Sequence, residues 1–120
     1  YGSEGRVLRI SQGNASIIQN RTATFRTNIF ISPWYPKLIG NQTEYEFTCN
    51  PIDGSGNYTY DWLLGDGDAL YNDNYNKKLH TYPYSNNEYN VVCTAHDLVS
   101  GQSTSANMTI NPSKYIAEQQ

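Results

Sequence analysis

Apolar and polar side chains alternate most regularly in three stretches of the chain. These are TEYEFTCN (residues 43–50), YTYDWLL (58–64) and YNVVCTAHD (89–97). The in-phase apolar positions are Tyr45, Phe47 and Cys49 in the first, Tyr58, Tyr60, Trp62 and Leu64 in the second, and Tyr89, Val91, Cys93 and Ala95 in the third. A period of two residues predicts β-strands that bury one face.

Weaker β patterns occupy much of the remaining chain. FRTNIFIS (25–32), KKLHTYP (77–83) and STSANMTINP (103–112) are each predicted to contain a strand. Pro33 and Pro36 end the first of these, and Gly, Asn, Asp and Ser cluster in the turns between the others. Because no segment shows a helical period, we predict an all-β sandwich of about seven strands.

The pattern divides the chain into a sandwich domain over residues 25–113 and two flanking segments, 1–24 and 114–120. The first segment carries two apolar clusters, formed by Val7, Leu8 and Ile10 and by Ile17 and Ile18. We interpret it as an extended donor strand that completes the sheet of a neighbouring subunit. The alternative is an ordinary first strand preceded by a disordered start.

Composition narrows the classes of partner. The formal net charge is −3 and the eight Lys and Arg residues are scattered, so we expect no nucleic-acid binding. No apolar run approaches the roughly 20 residues of a membrane span. The chain begins at Tyr1 without Met, which we interpret as a mature product whose secretion signal has been removed, the alternative being an excised piece of a longer chain.

Two features indicate the outside of a cell. The two cysteines, Cys49 and Cys93, are compatible with one disulfide or with two free buried thiols. Five Asn-x-Ser/Thr sequons are candidate N-glycosylation sites, at Asn14, Asn20, Asn41, Asn57 and Asn107. We expect a secreted glycoprotein that carries N-linked glycans. The alternative is an Asn-rich chain that contains sequons but is never glycosylated.

The loop GDGD (65–68) has two candidate roles, a calcium site and a structural turn. A calcium site would use Asp66, Asp68 and Asp73, whereas a structural turn would use Asp66 alone to accept backbone hydrogen bonds. An EF-hand is excluded because its twelfth position is Lys77 rather than Glu. A phosphate loop is excluded because no Gly-Lys-Ser/Thr follows. We therefore expect a turn, with no cofactor and no metal.

The order Cys49, Trp62, Cys93 is similar to that of immunoglobulin-like sandwiches. YDWLLGDGD, LHTYP and EYNVVCTAHD together resemble the PKD-type domain, an immunoglobulin-like sandwich with a Trp-x-Phe-Gly-Asp-Gly run, a His-x-Tyr element, a Tyr-x-Val strand and a following Asp. The matching residues here are Trp62, Gly65, Asp66, Gly67, His80, Tyr82, Tyr89, Val91 and Asp97. Leu64 replaces the usual Phe, SNNE replaces a Gly-containing turn, and residues 1–24 lie outside the match.

The resemblance implies an inter-sheet disulfide between Cys49 and Cys93, with Trp62 packed over it. It also implies that Gly65 and Gly67 adopt positive φ angles while Asp66 holds the turn. No nucleophile elbow or other catalytic motif occurs, so we expect a non-enzyme.

Two functions from different classes remain. The chain is rich in Tyr, Asn and sequons and has an N-terminal tail with apolar clusters. In these features it resembles glycosylated archaeal surface-thread subunits, which implies a secreted filament protein that polymerises head-to-tail with copies of itself. The alternative is an extracellular carbohydrate- or protein-binding module that uses Trp34, Tyr35 and the ALYNDNYN segment (69–76) as an aromatic platform.

Overall fold

The computed structural model describes residues 24–113, which contain eight β-strands. Their bounds are β1 Arg26–Ile31, β2 Lys37–Ile39, β3 Gln42–Ile52, β4 Tyr58–Leu63, β5 Ala69–Asp73, β6 Lys77–Pro83, β7 Tyr89–Asp97 and β8 Ser103–Ile110. Outside the described residues lie the proposed donor-strand positions Val7, Leu8, Ile10, Ile17 and Ile18 and the sequon residues Asn14 and Asn20.

The strands form two antiparallel sheets. In the first, β3 is central, with β6 along one side and β1 followed by β2 along the other. In the second, the order is β5-β4-β7-β8. The predicted all-β, immunoglobulin-like sandwich is therefore confirmed. In the described part of the chain, no helix has the length and apolar character needed to span a membrane.

The core lies between the two sheets and is built mainly from the predicted in-phase positions, although Tyr58 and Tyr89 are only partly buried. Its buried members are Tyr45, Phe47, Cys49, Tyr60, Trp62, Leu64, Tyr82, Val91, Cys93, Ala95 and Ile110. Cys49 on β3 and Cys93 on β7 form a disulfide that joins the sheets, with their Cα atoms 6.3 Å apart. Trp62 is fully buried and lies directly opposite Cys93 on the neighbouring strand. Because aromatic rings fill much of the core, relatively few aliphatic residues are needed.

Two strands were not predicted from the sequence. β2 is only three residues long and all three are exposed, so it shows no alternation. β5 lies in a segment predicted to be turns, and its pairing with β4 is interrupted between Tyr60 and Trp62. Asn72, at this irregularity, has a φ of 59°. Short edge strands with an irregular register lack the periodic signal on which the prediction depends.

The described chain enters and leaves at opposite ends of the sandwich. Phe25 stacks on Tyr58, and Arg26 pairs with Asp53 at 2.6 Å, beside the β3–β4 turn. At the other end, the Ser113 N–H donates to Ser85 O near the β6–β7 turn. The segment that precedes residue 24 is therefore attached at the β3–β4 end.

Candidate functional site

The GDGD loop is a hydrogen-bonded turn, as we expected from the sequence. Gly65 and Gly67 have φ angles of 84° and 99°. A Cβ on Gly65 would lie 2.7 Å from the backbone oxygen of Asn90, so no other residue fits there without a shift. The Asp66 side chain accepts a hydrogen bond from the Asp68 N–H at 3.1 Å. This bond fixes the direction in which the chain leaves β4.

His80 completes the turn from the opposite sheet. Its Nε2 donates to the second oxygen of Asp66 at 2.8 Å, and its ring packs against Tyr82 with centroids 4.8 Å apart. The Tyr82 hydroxyl donates to Leu64 O at 2.7 Å, and burial raises the pKa of this phenol. Partial burial alone would raise the pKa of Asp66, but the hydrogen bonds from His80 and Asp68 bring it below its ordinary value. The cluster therefore ties the two sheets together.

The same cluster contains the groups that could hold a cation. One ligand atom each from Asp66, Asp68 and His80 lies within 4.8 Å of the others. Asp73, which the calcium interpretation required, belongs to β5 and accepts from the Tyr75 N–H at 3.3 Å. Because both oxygens of Asp66 already accept protein hydrogen bonds, we keep the structural interpretation of this turn.

Asp97 organises the opposite end of the sandwich. Its carboxylate accepts from the Ser55 hydroxyl and N–H, both at 2.7 Å, and from the N–H groups of Val99 and Ser100 at 2.9 and 3.1 Å. These bonds connect the β3–β4 turn with the β7–β8 turn. The Ser55 hydroxyl, the Ser55 N–H and the two further N–H groups lower the pKa of Asp97 to about 2.

We predict that Asp97 makes the fold sensitive to acid. Its folded-state pKa of about 2 lies below its ordinary 3.8, so its contribution is complete above about pH 4 and is lost as the pH falls from there towards 2. Asp97→Asn should lower the melting temperature by several degrees at pH 6 and should flatten its decline between pH 4 and 2. Thermal unfolding across pH 2–6 measures both effects. Glu88→Gln, at an exposed carboxylate, is the control; equal pH profiles for Asp97→Asn and wild type would contradict the assignment.

The outer face of the second sheet carries a network that the sequence did not reveal. His96 Nε2 donates to Asp61 at 2.7 Å, and the Ser103 hydroxyl lies 2.6 Å from Nδ1. Partial burial would raise the pKa of Asp61, but hydrogen bonds from the Asn72 N–H and His96 lower it. His96 is half-buried and links β4, β7 and β8. Asp, His and Ser are also the residue types of a hydrolase triad, but here Asp61, His96 and Ser103 lie on the outer face of a sheet.

The three described sequons all present their Asn at the surface. Asn41 lies in the turn between β2 and β3, Asn57 in the β3–β4 turn and Asn107 on the outer face of β8, and all three are exposed. The Asn107 side-chain amide donates to Asn90 Oδ1 at 3.1 Å, which still leaves a second amide N–H. Attachment of a glycan at any of these residues remains a prediction.

The proposed aromatic platform is not one surface. Trp34 is 87% exposed with a φ of 75° and lies between β1 and β2, whereas Tyr71 and Tyr75 are 61% and 60% exposed beside the other edge of the sandwich. Tyr35 is half-buried, and Lys37 Nζ lies 4.8 Å from its ring centroid. Because β1 packs alongside β8 and β5 is at the far edge of the second sheet, the two aromatic groups are separated.

The edge where β1 packs alongside β8, termed here the β1–β8 seam, is an apolar surface. Four apolar side chains that face the core from this edge are only partly buried, namely Ile29, Ile31, Ala106 and Met108. The Thr27 hydroxyl donates to Thr104 O at 3.4 Å across the seam. Within residues 24–113, no strand pairs with the outer side of β8 or of β1.

Comparison with known proteins adds one likeness. No family model matches the chain, and no curated protein matches it. Among solved structures, the chain is similar to the PKD domain of an M14-like peptidase from Thermoplasmatales archaeon SCGC AB-540-F20. The TM-score is 0.44 and the identity 19%, over 76% of this chain and 99% of that one. The all-β sandwich rests on the two sheets of the structure itself, whereas the resemblances to a PKD-type domain and to an archaeal surface-thread subunit stay predictions.

Proposed function

We propose that this chain is the structural subunit of a secreted, N-glycosylated surface filament, in which part of residues 1–24 of one subunit, either 5–12 or 15–19, enters the β1–β8 seam of the next. The observation that carries the proposal is the seam itself, since two neighbouring edge strands both lack a strand partner there among the described residues. A strand laid between them would cover partly buried side chains from both sheets.

The direction of the free backbone groups supports this acceptor site. Across the β7–β8 turn, the Asp97 N–H donates to Gln102 O at 2.8 Å. Alternate residues of a strand direct their backbone N–H and C=O groups to the same side. The backbone groups of Thr104, Ala106 and Met108 therefore point towards β7, as those of Gln102 do. The backbone groups of Ser105 and Asn107 therefore point away from β7, where an added strand could pair with them.

The other edges are less suited to receiving a strand. Edge strands are commonly protected from pairing by Lys, Pro, irregular register or short length. β6 begins with two lysines and ends at Pro83, β2 has three residues and follows Pro36, and β5 has an irregular register. β8, with the sequence STSANMTI, has neither a charge nor a proline over eight residues. It is therefore the best candidate for strand addition.

The polarity of the domain is compatible with a head-to-tail polymer. The first described residues lie at the β3–β4 end, beside the β7–β8 turn, so the tail joins the sandwich at that end. A donated tail that enters another subunit makes a heterologous contact, which continues as an open chain rather than closing into a dimer. The disulfide and the exposed sequons support an extracellular setting.

A proline at the proposed edge should separate folding from assembly. We predict that Ser105→Pro leaves an oxidised, folded monomer that forms no filaments, because proline removes an outward N–H without disturbing the β7–β8 ladder. Ser105→Ala is the matched control, since it loses the same hydroxyl bond to Thr94 but keeps the N–H. Filaments of the Pro variant as abundant as those of the Ala variant would show that the acceptor lies elsewhere.

Electron microscopy of the purified 1–120 chain tests the function itself. The proposal expects thin unbranched filaments whose abundance rises with concentration. Uniform monomeric particles at high concentration would contradict it and would favour the binding-module alternative.

That alternative has its own support in Trp34, because a bulky residue that is both 87% exposed and held at positive φ is unusual. Trp34→Ala should abolish ligand binding if the module binds through this ring, but should leave filaments unchanged.

A further inference from the structure

The sequon at Asn41 contains a buried hydroxyl with no structural use. Thr43, its third residue, is 0% exposed, and its Oγ1 has no hydrogen-bond partner among the described residues. Thr43 lies between two strands, opposite Leu38 on β2 and Tyr82 on β6. An unpartnered buried hydroxyl is destabilising, and valine would fill the same volume without it. The fold therefore does not explain why this residue is Thr.

The chemistry of the sequon does explain the hydroxyl. Ser and Thr share a hydroxyl on Cβ, so an enzyme that accepts either must contact that group. In the folded domain no enzyme can reach it at Thr43, although the Asn41 side chain is exposed. The backbone is also engaged, because Asn41 O accepts from the Tyr84 N–H at 3.0 Å and Gln42 lies between Ile39 and Pro83.

We propose that Asn41 is glycosylated only before β3 packs between β2 and β6, so that modification precedes folding at this sequon. In the transfer, Asn41 Nδ2 attacks the anomeric carbon of a lipid-phosphate-linked oligosaccharide. The N–C bond forms as the C–O bond to phosphate breaks, the phosphate leaves with the electron pair, and the amide nitrogen loses a proton. The inference rests on the proposed function only in taking the chain as N-glycosylated; it is independent of polymerisation.

The other two described sequons provide controls within the same chain. Thr109, which completes the Asn107 sequon, is exposed on the outer face of the edge strand β8. Thr59, which completes the Asn57 sequon, is half-buried on the outer face of β4. Because both Thr residues lie on the outer faces of their strands, the folded domain should still present both sequons to an enzyme, Asn107 more readily than Asn57.

The decisive experiment compares folded chain with peptide. The oxidised, unglycosylated 1–120 chain and a peptide of residues 37–46 are each incubated with an N-oligosaccharyltransferase and a lipid-linked oligosaccharide, and occupancy is mapped by mass spectrometry. Asn41 should be modified in the peptide and at least about 100-fold more slowly in the folded chain, since transfer must await an opening of the sheet. Asn107 of the same folded sample should be modified readily. Equal rates at Asn41 in both substrates, or no transfer to the peptide, would overturn the proposal.

A second measurement tests why Thr43 is present. In the unglycosylated chain, Thr43→Val should raise the melting temperature by several degrees, and Thr43→Ser should lower it because it loses the buried methyl group. In the producing organism, Thr43→Val should remove the glycan at Asn41 alone. A lower melting temperature for Thr43→Val would show that the hydroxyl serves the fold, and would contradict this explanation.

Discussion

Deleting residues 1–23 should abolish polymer formation and leave the sandwich folded. The described strands and the disulfide all lie within residues 24–113, so the core should persist without the tail. Without the tail, no subunit has a strand to donate, and the β1–β8 seam of each neighbour stays open. Light scattering and electron micrographs of the 24–120 and 1–120 chains at matched concentrations measure the effect. Filaments of the 24–120 chain would contradict the assignment of the tail.

Point variants then identify which apolar cluster enters the seam. Val7→Asp with Leu8→Asp changes the first cluster, and Ile17→Asp with Ile18→Asp changes the second. A charge buried in an apolar groove is strongly unfavourable, so the pair that belongs to the inserted segment should abolish filaments. The other pair serves as its matched control. If both pairs polymerise normally, neither cluster is the donor.

Loss of the disulfide should be the most damaging single change to the domain. Cys93→Ala removes a covalent link that spans 44 positions in sequence between the two sheets. We expect a loss of roughly 2–5 kcal/mol in the free energy of unfolding, because the unfolded chain regains the entropy that the link removed. Urea denaturation of variant and wild type measures it.

The reduced wild type provides the control for this prediction. Its unfolding midpoint in a thiol reductant should approach that of Cys93→Ala, since both lack the link, and Cys49→Ala should match them. A loss below about 1 kcal/mol for Cys93→Ala would place it among ordinary substitutions and contradict a stabilising inter-sheet bridge.

The centre of the fold could be predicted from the sequence because its strands are half-buried. On β3, β4 and β7, one face meets the core and the other meets solvent, so the alternation of side chains follows directly from burial. Trp62 and the two cysteines fall on those same faces, which is why their order indicated the sandwich.

The edges and the polar networks could not be predicted in the same way. β2 is exposed throughout, and the register of β5 is interrupted, so neither has a periodic pattern. The contacts of His96 depend on which residues of β4 and β8 come opposite β7, which the local sequence does not encode. The burial of Thr43 has the same origin, because the sequon motif is local while its neighbours Leu38 and Tyr82 come from two other strands.

Donation of the tail to the seam can be tested most directly by supplying the tail in trans. A synthetic peptide of residues 1–23 is added to the 24–120 chain, with a scrambled peptide of the same composition as control. Binding to the folded state at 100 times Kd stabilises it by about 2.7 kcal/mol, so the melting temperature should rise by roughly 10 °C with the native peptide only. Ser105→Pro in the 24–120 chain should suppress the rise. An unchanged melting temperature at saturating peptide, or an equal rise with the scrambled one, would contradict donor-strand assembly.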